Sequence, residues 1–364
     1  MTPFRRSSIP ALLAIALCIP QRGSAQSTDS TQWRRRLQPF PAIASAPETG
    51  LQLGLTMLAV FEPPAARHAR PASIVPTIIR SAKGQTRASV EGEYWSRENA
   101  RRLWGSLAWQ RFPLPYYGVG DQTPETAKET YTPEGIDAQA TIQQRVHGQW
   151  YGLVSARLID QTITADTTTG VLRTKTITGA TGGRVSEVGV GLLRDSRDFV
   201  FNPHRGTLAQ LTVTASRSAI GSDFSYVRRR LDVRQYVPVG ASTLALNYLG
   251  LWIDGDAIPF DQLNLVGGGD MLRGYTRGRY RDVNLQAAQA EWRTPIRRRV
   301  GAVAFGGLGI LNDHNSATST KALPTYGAGL RFQIDPRQRT AVRVDYGRGR
   351  DGASGLYIGF NQAF

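Results

Sequence analysis

Arginine, rather than any catalytic side chain, is the chemistry-bearing residue that stands out in this chain. The four histidines, His68, His147, His204 and His314, lie far apart with no metal-ligand spacing, so no metal site is expected. No glycine-x-serine-x-glycine elbow occurs, and the glycine runs precede no phosphate-binding helix. Neither an enzyme nor a cofactor is expected on these grounds. What remains is charge, with 44 Lys and Arg against 28 Asp and Glu, a formal net charge of +16. The arginine runs 34–36, 228–230 and 297–299 are not interleaved with aromatics that stack on bases, which argues against a nucleic-acid partner. They suit a solvated interface, a charged lumen or phosphate-rich lipid headgroups.

The N-terminus sets the compartment in which this charge must work. Arg5 and Arg6 precede an apolar stretch at 11–19 (ALLAIALCI), and Gly23-Ser24-Ala25 supplies small residues for cleavage before Gln26. Pro20, Gln21 and Arg22 close the apolar run well short of the roughly 20 residues a membrane anchor needs. Residues 1–25 therefore read as a signal peptide. They hold three arginines and no acids, so their removal takes the net charge from +16 to +13 and removes the only cysteine, Cys18.

Beyond them, no long apolar run suggests a helical span, and period two dominates. At 50–61 (GLQLGLTMLAVF), Leu51, Leu53, Leu55, Met57, Ala59 and Phe61 share one face, against Gly50, Gln52, Gly54 and Thr56. At 326–334, Tyr326, Ala328, Leu330, Phe332 and Ile334 stand against Gly327, Gly329, Arg331 and Gln333. In an exported chain, such segments recurring as far as Phe364 predict an all-β fold. The expected architecture is a transmembrane antiparallel β-barrel of the outer membrane, apolar outside and polar inside.

Fifteen strands are legible, near 50–61, 73–82, 86–96, 101–112, 134–146, 148–162, 183–195, 206–219, 223–237, 241–253, 282–295, 298–311, 323–334, 340–348 and 354–364. Single-chain barrels have even strand numbers, so a sixteenth strand is expected, placed at 116–122. The barrel then occupies 49–364, and 26–48, with Trp33, Arg34–Arg36, Pro39, Pro41 and Pro47, reads as a short periplasmic tail or lumen plug. Short connections such as Lys83-Gly84 and Val239-Gly240 are expected at the periplasmic end. Longer ones, above all 254–281, are expected at the surface.

Within that longest loop, residues 265–275 read LVGGGDMLRGY. Arg273-Gly274-Tyr275 after a glycine run resembles the signature in the sixth surface loop of the BamA/TamA outer-membrane assembly-factor superfamily, also called the bacterial surface antigen family. Three further stretches resemble the same family in the same order: 193–206 (LRDSRDFVFNPHRG), 290–296 (AEWRTPI) and 342–364, ending in QAF. Five strands follow the loop, as in that family's 16-stranded barrel.

The resemblance implies that the loop folds into the lumen and that Arg273 reaches Glu291, a pairing suited to an arginine fork on a carboxylate. The family's additional acid, in a phenylalanine-x-aspartate-x-glycine pattern, is replaced by Gly307 within the stretch that begins at Phe305, leaving Asp345 or Asp270 as substitutes. Asp195, Arg197, Asp198, Pro203 and Gly206 read as a periplasmic turn. Arg228, Arg230, Asp232 and Arg234 read as a lumen charge ladder. Tyr357, Gly359, Phe360 and Phe364 resemble the C-terminal signal by which the barrel-assembly machinery recognises its clients, with Gln362 departing from it.

Residues 26–48 are too few for the POTRA modules that family members carry ahead of the barrel. Two functional readings stand open. One is a POTRA-less relative that aids insertion or translocation of protein or lipid, with client outer-membrane proteins and outer-membrane lipids, lipopolysaccharide included, as partners. The other is a passive pore or surface-antigen barrel.

Overall fold

The computed structural model describes residues 33–64, 69–166, 169–312, 321–335 and 339–364. The expected signal peptide, residues 26–32, His68 and His314 lie outside the described residues. Alternation dictates the wall: Leu53 and Leu55 stand 53% and 55% exposed while Thr56, pointing the other way, is buried.

In chain order the strands are β1 (Arg34–Ala46), β2 (Gly50–Glu62), β3 (Ala72–Ser81), β4 (Thr86–Trp95), β5 (Arg101–Arg111) and the short β6 (Leu114–Tyr116). There follow β7 (Glu129–His147), β8 (Trp150–Ala165), β9 (Gly182–Asp195), β10 (Gly206–Ser216), β11 (Tyr226–Val239) and β12 (Ser242–Asp254). The long loop carries β13 (Asn264–Leu265) and β14 (Arg281–Asp282), which pair only with each other. Then come β15 (Asn284–Arg297), β16 (Val300–Asn312), β17 (Leu323–Asp335), β18 (Thr340–Gly349) and β19 (Ser354–Phe360).

Every pairing is antiparallel, β6 prolongs β5 along β7, and the ring closes where β19 meets β1. The result is a closed barrel of sixteen wall strands. Its faces are reversed relative to a soluble protein. Leu107, Val154, Val190, Leu330 and Leu356 are exposed on the outside, whereas Glu187, Asp232, Glu291, Arg293 and Asp345 are buried inside. An apolar belt of this kind is the outer face of a barrel solvated by lipid.

Two expectations need correction. The sixteenth strand is not at 116–122, where only the three residues of β6 pair, but at Arg34–Ala46, within the segment read as a tail or plug. Pro39 and Pro41 remove two backbone donors, which only a strand at a sheet edge tolerates, and Arg34–Pro41 are exposed throughout, so no alternation marks this strand. Moving the extra strand to the start also reverses the direction of the strands ahead of residue 112. The Lys83-Gly84 turn therefore lies at the same end as loop 255–283: Gln85, beside it, donates from Nε2 to Pro113 O at 2.9 Å and Glu48 O at 3.1 Å, and Arg277 N approaches Glu48 Oε2 at 3.5 Å. Val239-Gly240 lies at the opposite end, with the start of β1 and the end of β19.

The wall is uneven. β7 and β8 run for 19 and 16 residues, but β19 for only seven. β1 pairs with β2 at every one of its 13 residues and with β19 at a single position, Ser45 opposite Ile358.

Candidate functional site

Loop 255–283 enters the lumen because its glycines permit what other residues would not. Gly267, Gly268, Gly274 and Gly278 all have positive φ. Gly274 meets the wall itself: with φ +117, a Cβ there would lie 2.6 Å from the carbonyl carbon of Arg348. The loop therefore lies backbone against backbone on β18.

That approach delivers Arg273 to the centre of the lumen, with no exposed surface. Its guanidinium binds Glu291 of β15 through Nη2 and Asp345 of β18 through Nη1 at 2.7 Å, and lies 3.6 Å from the centroid of the Phe305 ring on β16. Thr325 of β17 donates to the Arg273 carbonyl. Both carboxylates are shared: Glu291 also accepts from Arg293 Nε at 2.8 Å and Asp345 from Arg331 Nη1 at 2.5 Å. The result is an alternating chain, Arg293–Glu291–Arg273–Asp345–Arg331, in which each buried charge has a partner of opposite sign.

Of the two acids offered as substitutes at the Gly307 position, Asp345 makes the contact. Asp270 pairs instead with Arg343 at 2.7 Å. Gly329 makes the room, since a Cβ there would overlap the Asp345 carboxylate. Tyr275, fully buried, donates its hydroxyl to Pro324 O at 2.8 Å and accepts from Arg350 N at 2.8 Å.

Tyr357, grouped by sequence with the C-terminal signal, belongs to the loop site: its hydroxyl accepts from Gly274 N at 2.9 Å and donates to Tyr275 O at 3.0 Å. Phe360 faces outward. Phe364 does not continue that face. β19 stops at Phe360, Asn361 takes a left-handed conformation (φ +60), and Phe364 turns inward against Tyr236 and under Arg293, which donates to its carbonyl at 2.7 Å. Gly359 approaches Arg343 rather than Arg273.

The 193–206 motif folds as a turn at the terminal end. Arg197 grips Asp195 with two hydrogen bonds at 2.9 Å, Asp198 Oδ1 accepts from His204 N at 2.9 Å and Arg205 N at 3.3 Å, and Pro203 precedes Gly206 (φ +109). Asp198 also reaches Arg339 of the β17–β18 connection at 3.1 Å. In the lumen ladder, Asp232 is held between Arg230 at 2.7 Å and Arg234 at 2.8 Å, while Arg228 donates to Gln262 O of the loop at 3.0 Å.

Sequence reasoning missed a second anchor. Arg281, also buried, donates to Pro115 O at 3.0 Å and Phe260 O at 3.3 Å inside a cage of Tyr116, Tyr131 and Phe260 rings. Its signal was the Tyr116-Tyr117 pair in the segment expected to be a strand. That segment instead folds over the loop, bridging Gly120 to Arg281.

Comparison with known proteins agrees with this geometry. A family model described as the Omp85 superfamily domain matches residues 81–364. Among solved structures, the chain is similar to BamA from Haemophilus ducreyi lacking POTRA domains 1–3, at 11% identity and TM-score 0.63, covering 90% of this chain and 70% of that one. It is also similar to CdiB from Acinetobacter baumannii, at 14% identity and TM-score 0.59, covering 90% and 65%. CdiB from Escherichia coli, at 10% identity and TM-score 0.61, is covered over 62% of its length by 88% of this chain. The chain thus spans less than two thirds of either CdiB. These likenesses are likenesses of fold. No curated protein matches the sequence.

Proposed function

Since the chain belongs to the Omp85 superfamily, whose barrels lie in the bacterial outer membrane, we propose that it aids the insertion or translocation of protein or lipid there, using the β1–β19 seam. The observation that carries this reading is the seam itself. One paired position closes the barrel, so along most of β1 the backbone edge away from β2 has no partner among the described residues of the wall. An open strand edge is a template for an incoming strand. The seven residues of β19 fall short of the roughly 9–11 a tilted strand needs to cross a bilayer, which favours local thinning beside that edge. The loop site supports the reading from within, by tying β15 to β19 into one braced wall. In this reading the terminal end faces the periplasm.

The test has two arms. Quantitative mass spectrometry of outer membranes with and without the protein should show a broad fall in other folded barrels when it is absent. Cysteines at Ser45 and Ile358, directly opposed and so within disulfide reach, should abolish complementation when oxidised and restore it on reduction. Unchanged barrel levels would assign the chain to the passive-barrel reading, and full activity of the oxidised Ser45→Cys/Ile358→Cys variant would remove the seam from the mechanism.

A further inference from the structure

At the terminal end the lumen opens into a cavity of about 360 Å³, the size of a small-molecule site. It is lined by Arg293, Arg297, Arg298, Arg299, Arg331 and Arg339, with His204 beside them, and by no acid among the described residues. The three rim arginines, 297–299, lie exposed at the end of β15 and in the β15–β16 turn, whereas Arg293 and Arg331 lie buried on the wall. Among the described residues, carboxylates contact only the other three: Glu291 on Arg293, Asp345 on Arg331 and Asp198 on Arg339. Two of these acids are already shared with Arg273. Arg293, 6% exposed, keeps Nη1 without a hydrogen-bond partner. Among the described residues, cationic charge thus exceeds anionic charge from rim to floor.

We propose that this cavity binds a phosphate-bearing anion, either the headgroup of an anionic lipid or a soluble phosphate compound. Guanidinium forks match phosphate oxygens in geometry as well as charge. On the same lining the Asn202 amide nitrogen offers a neutral donor for a remaining oxygen, its Oδ1 being held by Gln362 Nε2 at 3.2 Å. The site is separate from the seam, so it stands or falls independently of the function proposed above.

Isothermal titration of sodium pyrophosphate into the purified barrel in a neutral detergent tests it. Saturable binding is expected, weakened at least tenfold in R297A/R298A/R299A, because each charge-assisted bond to phosphate accounts for about an order of magnitude. These substitutions sit at an exposed strand end and turn and spare the buried network; an unchanged folded band on a gel checks that they do. Repeating the titration in nanodiscs separates the sources. Suppression by phosphatidylglycerol but not phosphatidylcholine assigns the site to lipid headgroups, and undiminished binding assigns it to a soluble phosphate compound. No saturable binding, equal binding by the triple variant, or binding of a poly-glutamate peptide with none of pyrophosphate would each overturn the proposal.

Discussion

Replacing Arg273 by alanine removes the only side chain among the described residues that touches both Glu291 and Asp345. The cost can be bounded from the geometry. Breaking a buried ion pair costs about 3–5 kcal/mol when the surviving charge is left alone. Here Glu291 keeps Arg293 at 2.8 Å and Asp345 keeps Arg331 at 2.5 Å, so neither carboxylate is orphaned. The lost contact with the Phe305 ring, worth about 2 kcal/mol when desolvated, still leaves a sizeable term. A total near 3 kcal/mol follows, roughly a hundredfold rise in the population of the released loop. Where reclosing outpaces cleavage, proteolysis tracks that population, so cleavage within 255–283 should accelerate by about the same factor, read by mass spectrometry. The folded band on a gel should also be lost at lower temperature. Arg273→Lys should fall close to alanine, because a single ammonium cannot span two carboxylates on different strands. In a double-mutant cycle, Arg273→Ala and Asp345→Asn should be non-additive by about 1 kcal/mol or more. Cleavage within twofold of wild type, with additive effects in the cycle, would refute the argument that this arginine holds the loop.

Gly274→Ala should release the loop as Arg273→Ala does while keeping every charge, since the new Cβ would lie 2.6 Å from the Arg348 backbone at φ +117; the same proteolysis checks it. Tyr357→Phe, which removes a hydroxyl bonded to Gly274 N and Tyr275 O, should cost about 1–3 kcal/mol and leave the outward face of β19 and membrane insertion unchanged. The Asp198 carboxyl is pushed up by burial, but the His204 and Arg205 N–H groups and the Arg339 guanidinium outweigh this and hold it below the usual carboxylate range. Its stabilisation is therefore full above the ordinary aspartate value and lost as pH falls through the lowered one. Thermal melts between about pH 5 and pH 2 should show that loss in the wild type and a flatter profile in Asp198→Asn.

Much of the wall was legible because one physical demand, lipid outside and polar contents inside, writes itself as alternation. Residues 50–61 and 326–334 carry it plainly. β1 does not: Arg34–Arg36, Pro39 and Pro41 obscure the period, and the strand is held by pairing with β2 rather than by an alternating pattern of its own. The Arg273–Glu291 contact lay within reach of a short motif, but choosing Asp345 over Asp270 required knowing which strand the loop lies against, 72 residues further along. Phe364 shows the opposite failure. The period runs through Asn361 in the sequence, yet one left-handed residue ends the strand, and the ring finds Tyr236 and Arg293 in the lumen instead of lipid.

The position of the loop site along the wall bears on the seam. Its contacts fall on Glu291 of β15, Phe305 of β16, Thr325 of β17, Asp345 of β18 and Tyr357 of β19, five consecutive strands ending at the seam. Across the seam, the bond from Arg277 N to Glu48 Oε2, 3.5 Å long and exposed, links the loop to the β1–β2 turn. Buried ion pairs and close backbone packing cost several kcal/mol to break, whereas an exposed contact of that length contributes little. The loop therefore stiffens one flank of the closure and leaves the other nearly untouched. A barrel built so would part at its single paired position by displacement of β1 with β2, while β19 stays fixed to the braced wall. On the function proposed above, the two features of the interior, a heavily bonded loop and a barely bonded seam, would form one arrangement: the first would confine motion to the strand whose edge the second exposes.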